Sequence, residues 1–383
     1  LFMKQTFLML AAISGALLTG CSNEEIASVD NLSQNAIGFH VVGNAAETRA
    51  TPITPNNLTT TDFDVFAYTA DGTAFMGKVD TEFAHDGVKI VYKGGKWDYD
   101  DPEEIHYWPT EALDFYAISP ANLVGSDPAH HYVWNFNHDS QKIYYNCLDE
   151  YNPTVTDPNI HANHDVMYGI AKNQTKTANG KVKFTFRHIL SQVVFKARTE
   201  LATMNVVISD IKIKNAKMSG YFTLPNTGIA PTSANWEVVG VGNIKLGTYA
   251  PTVVGNAAIE VNSNTNATDI SSDHPLLTIP QTLTAWGVKD GTKTKENADD
   301  AGQSYLEISC KIQQSGVYLC GSANAYGTIY VPFGASWEPG KRYIYTLIFG
   351  GGYDAEGDEI LKPIEFDAET TDWVDDPNNV IEL

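Results

Sequence analysis

The sequence contains few cysteines and few basic residues. Four cysteines occur in 383 residues, and none of them forms a Cys-x-x-Cys pair or a Cys/His spacing suited to structural zinc. Lys and Arg together number 25 against 46 Asp and Glu, which gives a formal net charge of −21. Because such a surface repels phosphate groups, the composition excludes general nucleic-acid binding and disfavours electrostatic docking on anionic lipid.

The sequence also lacks the short motifs that mark common catalytic sites. It has no Gly-x-Ser-x-Gly nucleophile elbow, no P-loop, no Gly-x-Gly-x-x-Gly after a strand and no His-Glu-x-x-His motif. A chain with 46 acidic residues always offers carboxylate pairs for glycoside hydrolysis, so their number alone indicates no hydrolase. We therefore expect no enzymatic activity, no cofactor and no metal. A hydrolase that uses unrecognised carboxylates is the least favoured alternative.

The first 20 residues read as an export signal. Lys4 precedes an apolar stretch over 7–18 that is too short to span a bilayer, and no later segment approaches the ~20 apolar residues of a spanning helix. The stretch ends in Leu-Thr-Gly-Cys, which resembles the bacterial lipobox, so we expect acylation of Cys21 and a lipid anchor in a membrane. The other interpretation is an ordinary signal peptide with a cysteine near its end. Residues 21–35 are predicted to form a tether.

Strand patterns extend over the whole remaining chain. Apolar residues alternate with polar ones in short runs separated by Gly and Pro turns, and no stretch shows a sustained helical stripe. These features predict an all-β fold of antiparallel β-sandwiches with short helices only. The strongest runs are 37–41, 63–68, 113–117, 182–186, 193–197, 206–213, 277–279, 305–308, 328–331 and 343–349.

Two domains are expected from the length and from the strand spacing. A strand that ends at Phe186 is followed by a new run of strands, so we predict an N-terminal domain over 36–187 and a C-terminal domain over 188–383. Residues 120–164 are predicted to be a decorated insertion. Residues 250–273 and 287–303 are predicted to be exposed loops, because both are rich in Thr, Asn and Asp.

Three cysteines remain after the lipobox. Cys147 is predicted to be a small core residue. Cys310 and Cys320 flank a hairpin whose turn lies near 314–316. A turn centred on Ser315 would place the two sulfurs opposite each other, where a disulfide can form in an oxidising compartment. A register slip of one residue would separate them, so the sequence leaves both states open.

Three polar clusters have residue types that metals prefer. His161, His164 and Asp165 have a spacing that suits two imidazoles and a carboxylate around one ion. Acidic residues crowd 98–104 and 354–359, where hard oxygen ligands would suit calcium. Neither acidic run has EF-hand spacing. We favour solvated polar loops for all three.

Aromatic residues also cluster in the N-terminal half. They would suit stacking on a carbohydrate, but aromatic side chains favour sheets in any case, so we expect core and strand packing. The residues are Trp97, Tyr99, Tyr107, Trp108, Tyr132 and Trp134.

Several strings, in a fixed order, resemble the fimbrillin-like family, which comprises the type V pilus subunits and Mfa-like fimbrial lipoproteins of Bacteroidales-type bacteria. A lipobox comes first and Thr371-Asp-Trp373 comes last. Between them lie Tyr107-Trp-Pro, Leu113-Asp-Phe-Tyr-Ala-Ile-Ser-Pro120, Phe184-Thr-Phe-Arg-His-Ile-Leu-Ser191, Ile279-Pro-Gln-Thr282 and Trp337-Glu-Pro-Gly-Lys-Arg-Tyr-Ile-Tyr-Thr-Leu347.

The resemblance implies two transthyretin-like β-sandwich domains and assembly by strand exchange. In the family, a protease cuts after an arginine near the N-terminus and releases the first strand, and a strand from the next subunit fills the groove. Here Ile37, Phe39 and Val41 suit the removable strand, and the Arg49–Ala50 bond resembles the cleavage site. The other interpretation of Arg49 is an exposed linker arginine that is not processed.

The function implied by the resemblance is that of a structural or adhesive subunit of a cell-surface fimbria. Its partners would be other fimbrial subunits and a receptor on a host or bacterial surface, and its location would be the outer membrane. The sequence does not separate shaft, tip and accessory roles. A free-standing glycan-binding surface lipoprotein is the alternative from another class.

Overall fold

The computed structural model describes thirteen stretches of the chain, and these stretches are mostly strand. They are residues 35–42, 61–79, 85–121, 133–137, 141–146, 165–177, 180–237, 246–249, 258–271, 275–288, 293–350, 352–360 and 365–372. No helix among these residues is long and apolar enough to cross a membrane. Within the same stretches, two 3₁₀ turns occupy Pro102–Glu104 and Ser233–Asn235.

The first half of the chain carries thirteen strands within the described residues. They are β1 (Gly38–Val42), β2 (Phe63–Thr69), β3 (Ala74–Met76), β4 (Lys78–Val79), β5 (His85–Asp86), β6 (Val88–Lys93), β7 (Lys96–Tyr99), β8 (Leu113–Ser119), β9 (Val133–Asn137), β10 (Lys142–Asn146), β11 (Met167–Gln174), β12 (Lys181–Thr185) and β13 (Arg187–His188).

A seven-stranded antiparallel sheet forms the centre of this half. Its strands run in the order β13-β11-β8-β2-β6-β7, and β3 pairs with β2 outside this path. The sheet is covered on both faces, because neighbouring residues of β2 face opposite ways and the first six of its seven residues are buried. Phe63 and Val65 pack into one core, whereas Phe66 and Tyr68 pack into another.

The first core lies between this sheet and a two-stranded pair. Strands β1 and β12 run parallel, from Gly38 opposite Lys181 to Val42 opposite Thr185. Their inward side chains pack with those of β2, β8 and β11 in one buried apolar cluster. The pair therefore closes the sandwich on that face.

The second core joins the two halves of the chain. A four-stranded sheet, in the order β17-β16-β10-β9, combines strands from both sides of residue 187. Strand β10 pairs antiparallel with β16, with Ile143 opposite Phe222. Tyr168, on the central sheet, contacts Phe222 with ring centroids 5.4 Å apart. The division at 187–188 remains a prediction, and the two predicted domains share one sheet.

The second half of the chain carries the remaining strands and a short helix. They are β14 (Ser191–Thr199), β15 (Met204–Lys217), β16 (Ser219–Thr223), β17 (Trp236–Glu237), β18 (Leu246–Tyr249), β19 (Ile259–Val261), β20 (Thr268–Asp269), β21 (Leu276–Thr278), β22 (Thr282–Leu283), α1 (Lys295–Asp300), β23 (Tyr305–Gln314), β24 (Val317–Cys320), β25 (Gly327–Pro332), β26 (Ala335–Ser336), β27 (Lys341–Phe349) and β28 (Glu365–Asp372).

Two sheets face each other in this half. One contains β20-β14-β27-β28 with β21 beside β14, and the other contains β18-β15-β23-β24 with β19 beside β15 and β25 beside β23. Phe195 and Leu347 of the first sheet share a core with Ile208 and Ile308 of the second. The core continues without a break into the sheet that joins the halves.

Strand β15 keeps one apolar face over fourteen residues by means of two irregularities. The buried positions Ile208 and Ile211 are three residues apart, and so are Ile213 and Ala216, whereas a regular strand returns to one face every second residue. The pairing register shifts between Ile208 and Asp210, and again between Ile213 and Ala216. Asn215, at the second shift, adopts a φ of 59°. The extra residue at each bulge restores the inward face.

Helix α1 lies within the segment 287–303, which we had expected to be an exposed loop throughout. The side chain of Ala298 is fully buried, and the Asp299 carboxylate accepts hydrogen bonds from Asn215 Nδ2 at 2.9 Å and from the Tyr305 hydroxyl at 2.7 Å. The expectation of a loop was wrong for this part, because burial of Ala298 and the hydrogen bonds of Asp299, one of them to the distant Asn215, hold the helix in place. Composition cannot reveal them.

The all-β prediction is confirmed, with one difference in strand direction. Most pairs are antiparallel, but β1–β12 and β14–β27 are parallel. Each of the ten runs singled out in the sequence falls on a strand, apart from end residues.

Candidate functional site: the first strand and its groove

Strand β1 fills the N-terminal core with alternate side chains. Ile37, directly before the strand, is 0% exposed, Phe39 is 2% exposed and Val41 is 7% exposed. The intervening His40 is only half-buried. The predicted strand and its inward residues therefore lie together in one groove.

Aromatic rings form the walls of this groove. The Phe39 ring lies 5.7 Å from that of Tyr99, 6.2 Å from that of Phe184 and 6.3 Å from that of Phe63, measured between centroids. The Phe184 ring is stacked on Phe39, and the other two meet it edge-on. Such pairs add roughly 0.5–1.5 kcal/mol each beyond area burial.

Hydrogen bonds hold the N-terminal end of β1 in the groove. The Tyr99 hydroxyl donates to the Ile37 carbonyl at 3.0 Å, and the Ile37 amide donates to the His106 carbonyl at 2.9 Å. Burial raises the pKa of Tyr99, so this phenol stays a neutral donor. The Trp108 indole and the Gly38 amide both donate to the Gly180 carbonyl, at 3.0 and 2.9 Å.

The strands lie close together at Gly38. A Cβ at that position would lie 3.2 Å from the Lys181 side chain and 3.7 Å from the Gly180 carbonyl oxygen. A larger residue at this position would therefore require the exposed Lys181 side chain to shift by a few tenths of an ångström.

Burial of β1 is worth several kcal/mol, yet the strand is attached through a single connection. Burying three apolar side chains stabilises the fold by about 5–9 kcal/mol in total, as an upper estimate. Among the described residues β12 pairs with no other strand, so loss of β1 would leave β12 without a strand partner. Strand β1 continues to β2 through residues 43–60, which contain Arg49 and Ala50 and lie outside the described residues. Cys21 and Cys147 also lie outside them.

Comparison with known families identifies the chain. The sequence profile of the fimbrillin-like family matches residues 48–373. The chain belongs to the fimbrillin-like family. The match begins one residue before Arg49, so it contains the body of the protein but not β1.

Solved structures resemble this fimbrillin-like chain over most of its length. A fimbrial protein from Bacteroides vulgatus is 15% identical to this chain, with a TM-score of 0.53. The superposition covers 89% of this chain and 100% of the Bacteroides protein. The tip fimbrial protein Mfa3 from Porphyromonas gingivalis, with a C-terminal truncation, is 12% identical and covers 88% of this chain with 98% of its own. Its TM-score is 0.37, a likeness too low to bear on function. The first comparison shows a shared fold. No curated protein sequence matches the chain.

The cluster of His161, His164 and Asp165 is only partly described, and Asp165 has a partner outside the cluster. His161 and His164 lie outside the described residues. The Asp165 carboxylate is buried and lies 3.0 Å from Nδ1 of His188, and both side chains are 2% exposed. Within the described stretches no three His, Cys, Asp or Glu side chains are grouped as a metal site requires. Asp165 thus joins β11 to β13 across the start of the second half.

We expect His188→Ala to lower the free energy of unfolding by about 2–3 kcal/mol, because the buried Asp165 carboxylate loses its hydrogen bond with Nδ1 of His188. The measurement is urea unfolding of the purified protein. His188→Asn, whose amide can take the place of Nδ1, should recover part of the loss. A chelator should leave the wild-type midpoint unchanged, and a midpoint that falls with chelator would instead support a metal at Asp165.

The acidic runs carry ion pairs and turns in the fimbrillin-like chain. Lys89 Nζ lies 3.0 Å from Asp62 and 3.5 Å from Asp100. Lys293 Nζ lies 2.6 Å from Asp358. A lysine ammonium therefore lies beside at least one carboxylate of each acidic run.

The aromatic residues of the first half divide between core and surface. Tyr99 and Trp108 are buried, whereas Tyr107 is exposed, so these three form no flat platform for a sugar. Trp97 packs against the first core, with its ring 5.0 Å from that of Phe63. Core packing is confirmed for Trp97, Tyr99 and Trp108.

The two described cysteines are buried and unbonded. The predicted turn is present at Ser315 and Gly316, with φ of 52° and 83°. Cys320 pairs with Ile312 instead of Cys310, so the sulfurs do not face each other directly across the ladder.

Proposed function

We propose that this protein is a non-enzymatic subunit of a cell-surface fimbria and serves adhesion or assembly. It reaches the outer membrane as a lipoprotein acylated at Cys21 and joins other fimbrial subunits by β-strand exchange. Membership of the fimbrillin-like family supports the fimbrial role. Its position in the filament, as shaft, tip or accessory subunit, is left open by the proposal.

The observation that carries the proposal is the way in which β1 is buried, paired and connected to the rest of the chain. Three buried side chains fill a groove, the strand pairs with β12 over five residue pairs, and its connection to β2 runs through the segment that contains Arg49. A strand with these properties can be exchanged for an equivalent strand of another subunit, because backbone hydrogen bonds supply affinity and alternate side chains supply register.

Processing at Arg49–Ala50 is the step that would free the groove. The family match begins at Thr48 and excludes β1, as expected if the body of the subunit starts near this bond. Before cleavage, β1 is held at a high effective concentration by its own chain and competes with any incoming strand. After cleavage, that advantage is lost.

Replacement of the lipobox cysteine tests the export route. Cys21→Ala should move the protein from the membrane to the soluble fraction, whereas the control Cys147→Ala should leave it in the membrane. The measurement is fractionation of the source cells, followed by detection with an antibody. Membrane association with unchanged mobility in Cys21→Ala would refute acylation.

Negative-stain microscopy of sheared surface material tests the fimbrial role. Filaments labelled by the antibody are expected from wild-type cells and not from cells that lack the gene. If no labelled filaments appear, the fimbrial proposal fails. Specific binding on a glycan array would then favour a free-standing glycan-binding lipoprotein.

A further inference from the structure

The two buried cysteines lie where two strands meet on one edge of β23. Strand β15 occupies the other edge along its whole length, from Met204 opposite Gln314 to Lys214 opposite Tyr305. Strands β24 and β25 therefore follow each other on the free edge, with Cys320 opposite Ile312 and Gly327 opposite Cys310. The exposed loop 321–326 leaves the sheet between them.

The Cys320 side chain points along this edge towards Cys310. Its Sγ lies 4.0 Å from the Cys310 carbonyl oxygen. A Cβ on Gly327, the residue opposite Cys310, would lie only 2.6 Å from that sulfur. The sulfur thus occupies the space that any side chain at Gly327 would need. Both cysteines are diagonal neighbours on the inward face.

The chemistry of the two thiols differs. A hydrogen bond between them raises the pKa of Cys310, and burial raises it further. The same hydrogen bond lowers the pKa of Cys320, and the Gly321 amide contributes to this shift. Cys320, at the end of its strand, is therefore the better nucleophile, and Cys310 is the thiol that holds its proton.

We propose that Cys310 and Cys320 form a dithiol that is oxidised to an intramolecular disulfide by exchange with a low-molecular-weight disulfide. The Cys320 thiolate attacks one sulfur of the small disulfide, forms a mixed disulfide and releases one small thiolate. Cys310 then loses its proton and attacks the Cys320 sulfur, and the second small thiolate leaves. The protein loses two electrons and two protons, and the small disulfide is reduced to two thiols. This proposal does not depend on the fimbrial role.

Formation of the bond requires a local shift of the backbone. Diagonal neighbours in a sheet have Cα atoms about 7–8 Å apart, and a disulfide needs them within about 7 Å. Gly321, with a φ of 70°, directly follows Cys320 and allows the end of β24 to move towards Cys310. The bond then fixes the base of the loop 321–326. In the reduced state this loop is held by Lys311, whose Nζ donates to the Ala323 carbonyl at 2.7 Å and lies 4.8 Å from the centre of the Tyr326 ring.

Peptide mapping of the full chain tests the proposal directly. The reduced protein is incubated with oxidised glutathione under native conditions, free thiols are blocked with an alkylating reagent, and the protein is digested with trypsin. Cleavage after Lys311 separates the cysteines into the peptides 296–311 and 312–341. We expect most of the Cys320 peptide to be recovered linked to the Cys310 peptide, and we expect dithiothreitol to release both.

Two controls make the outcome decisive. Cys320→Ser should give no linked peptide, and the urea-unfolded wild-type chain should form the linked pair, which shows that the oxidant is competent. Two results from the natively oxidised protein would overturn the proposal. One is recovery of both cysteine peptides in the alkylated, unlinked form, and the other is recovery of the Cys320 peptide linked only to glutathione. The oxidised protein should also be cut by chymotrypsin at Tyr326 several-fold more slowly than the reduced protein. An unchanged rate would refute fixation of the loop.

Discussion

Cleavage of the purified protein after Arg49 is expected to turn a monomer into a subunit that associates. The peptide that carries β1 should stay bound at first, because Ile37, Phe39 and Val41 remain buried in the core. Once it dissociates, the apolar groove and the edge of β12 are open to a strand from another chain. An arginine-specific protease, N-terminal sequencing and light scattering should show a new terminus at Ala50 and at least a doubling of mass after removal of the peptide in mild denaturant.

The distribution of arginine makes this experiment selective. The other arginines of the chain, Arg187, Arg198 and Arg342, lie in β13, β14 and β27, where a protease cannot bind the backbone without local unfolding. Arg49→Ala is the matched control and should remain uncut and monomeric. A body that begins at Ala50 and stays monomeric, alone and with candidate partner subunits, would contradict strand exchange. An Arg49 bond that resists the protease would favour the interpretation of Arg49 as an unprocessed linker residue.

Truncation of Phe39 should produce the largest loss of stability of any single change in β1. Phe39→Ala removes a ring that contacts Tyr99, Phe184 and Phe63, and a cavity of this kind lowers the free energy of unfolding by about 3–5 kcal/mol. The measurement is urea unfolding of the uncleaved protein. Lys183→Ala is the control, because this exposed side chain lies on β12 opposite His40 and should change stability by less than about 0.5 kcal/mol.

The same substitution also reports on how tightly the strand is held. If β1 fills the groove as described, Phe39→Ala should release the cleaved N-terminal peptide at lower denaturant than wild type does, whereas Lys183→Ala should not. Equal unfolding midpoints for Phe39→Ala and wild type would show that β1 contributes little to the core.

Much of the strand content could be predicted from the sequence, because side-chain alternation is a local signal. Phe63–Tyr68 and Tyr343–Phe349 read as strands from their own residues, and both are strands. The first bulge in β15 is also indicated by the local sequence, since the apolar residues Ile208 and Ile211 are three residues apart instead of two. The inward residues of β1 were also predicted, although their role rested on resemblance to a family.

The partners of these strands could not be predicted in the same way. The parallel pairing of β1 with β12 joins residues as far apart in the sequence as Gly38 and Lys181. The sequence of neither strand indicates which strand is its partner. The pairing of β10 with β16 crosses the predicted boundary for the same reason. Helix α1 depends on Asp299 and its distant partner Asn215, so its sequence alone looks like a polar loop.

The parallel register of β1 and β12 has a mechanical consequence for the proposed lipoprotein. Cys21 lies N-terminal to β1, so tension between the anchor and the body would enter the fold at the N-terminal end of this strand. A pull along the strand axis would load the pairs from Gly38–Lys181 to Val42–Thr185 in shear, so that their hydrogen bonds would have to break together instead of one after another. In a chain that is uncut at Arg49, the first strand would then resist unfolding by a pull from its own anchor.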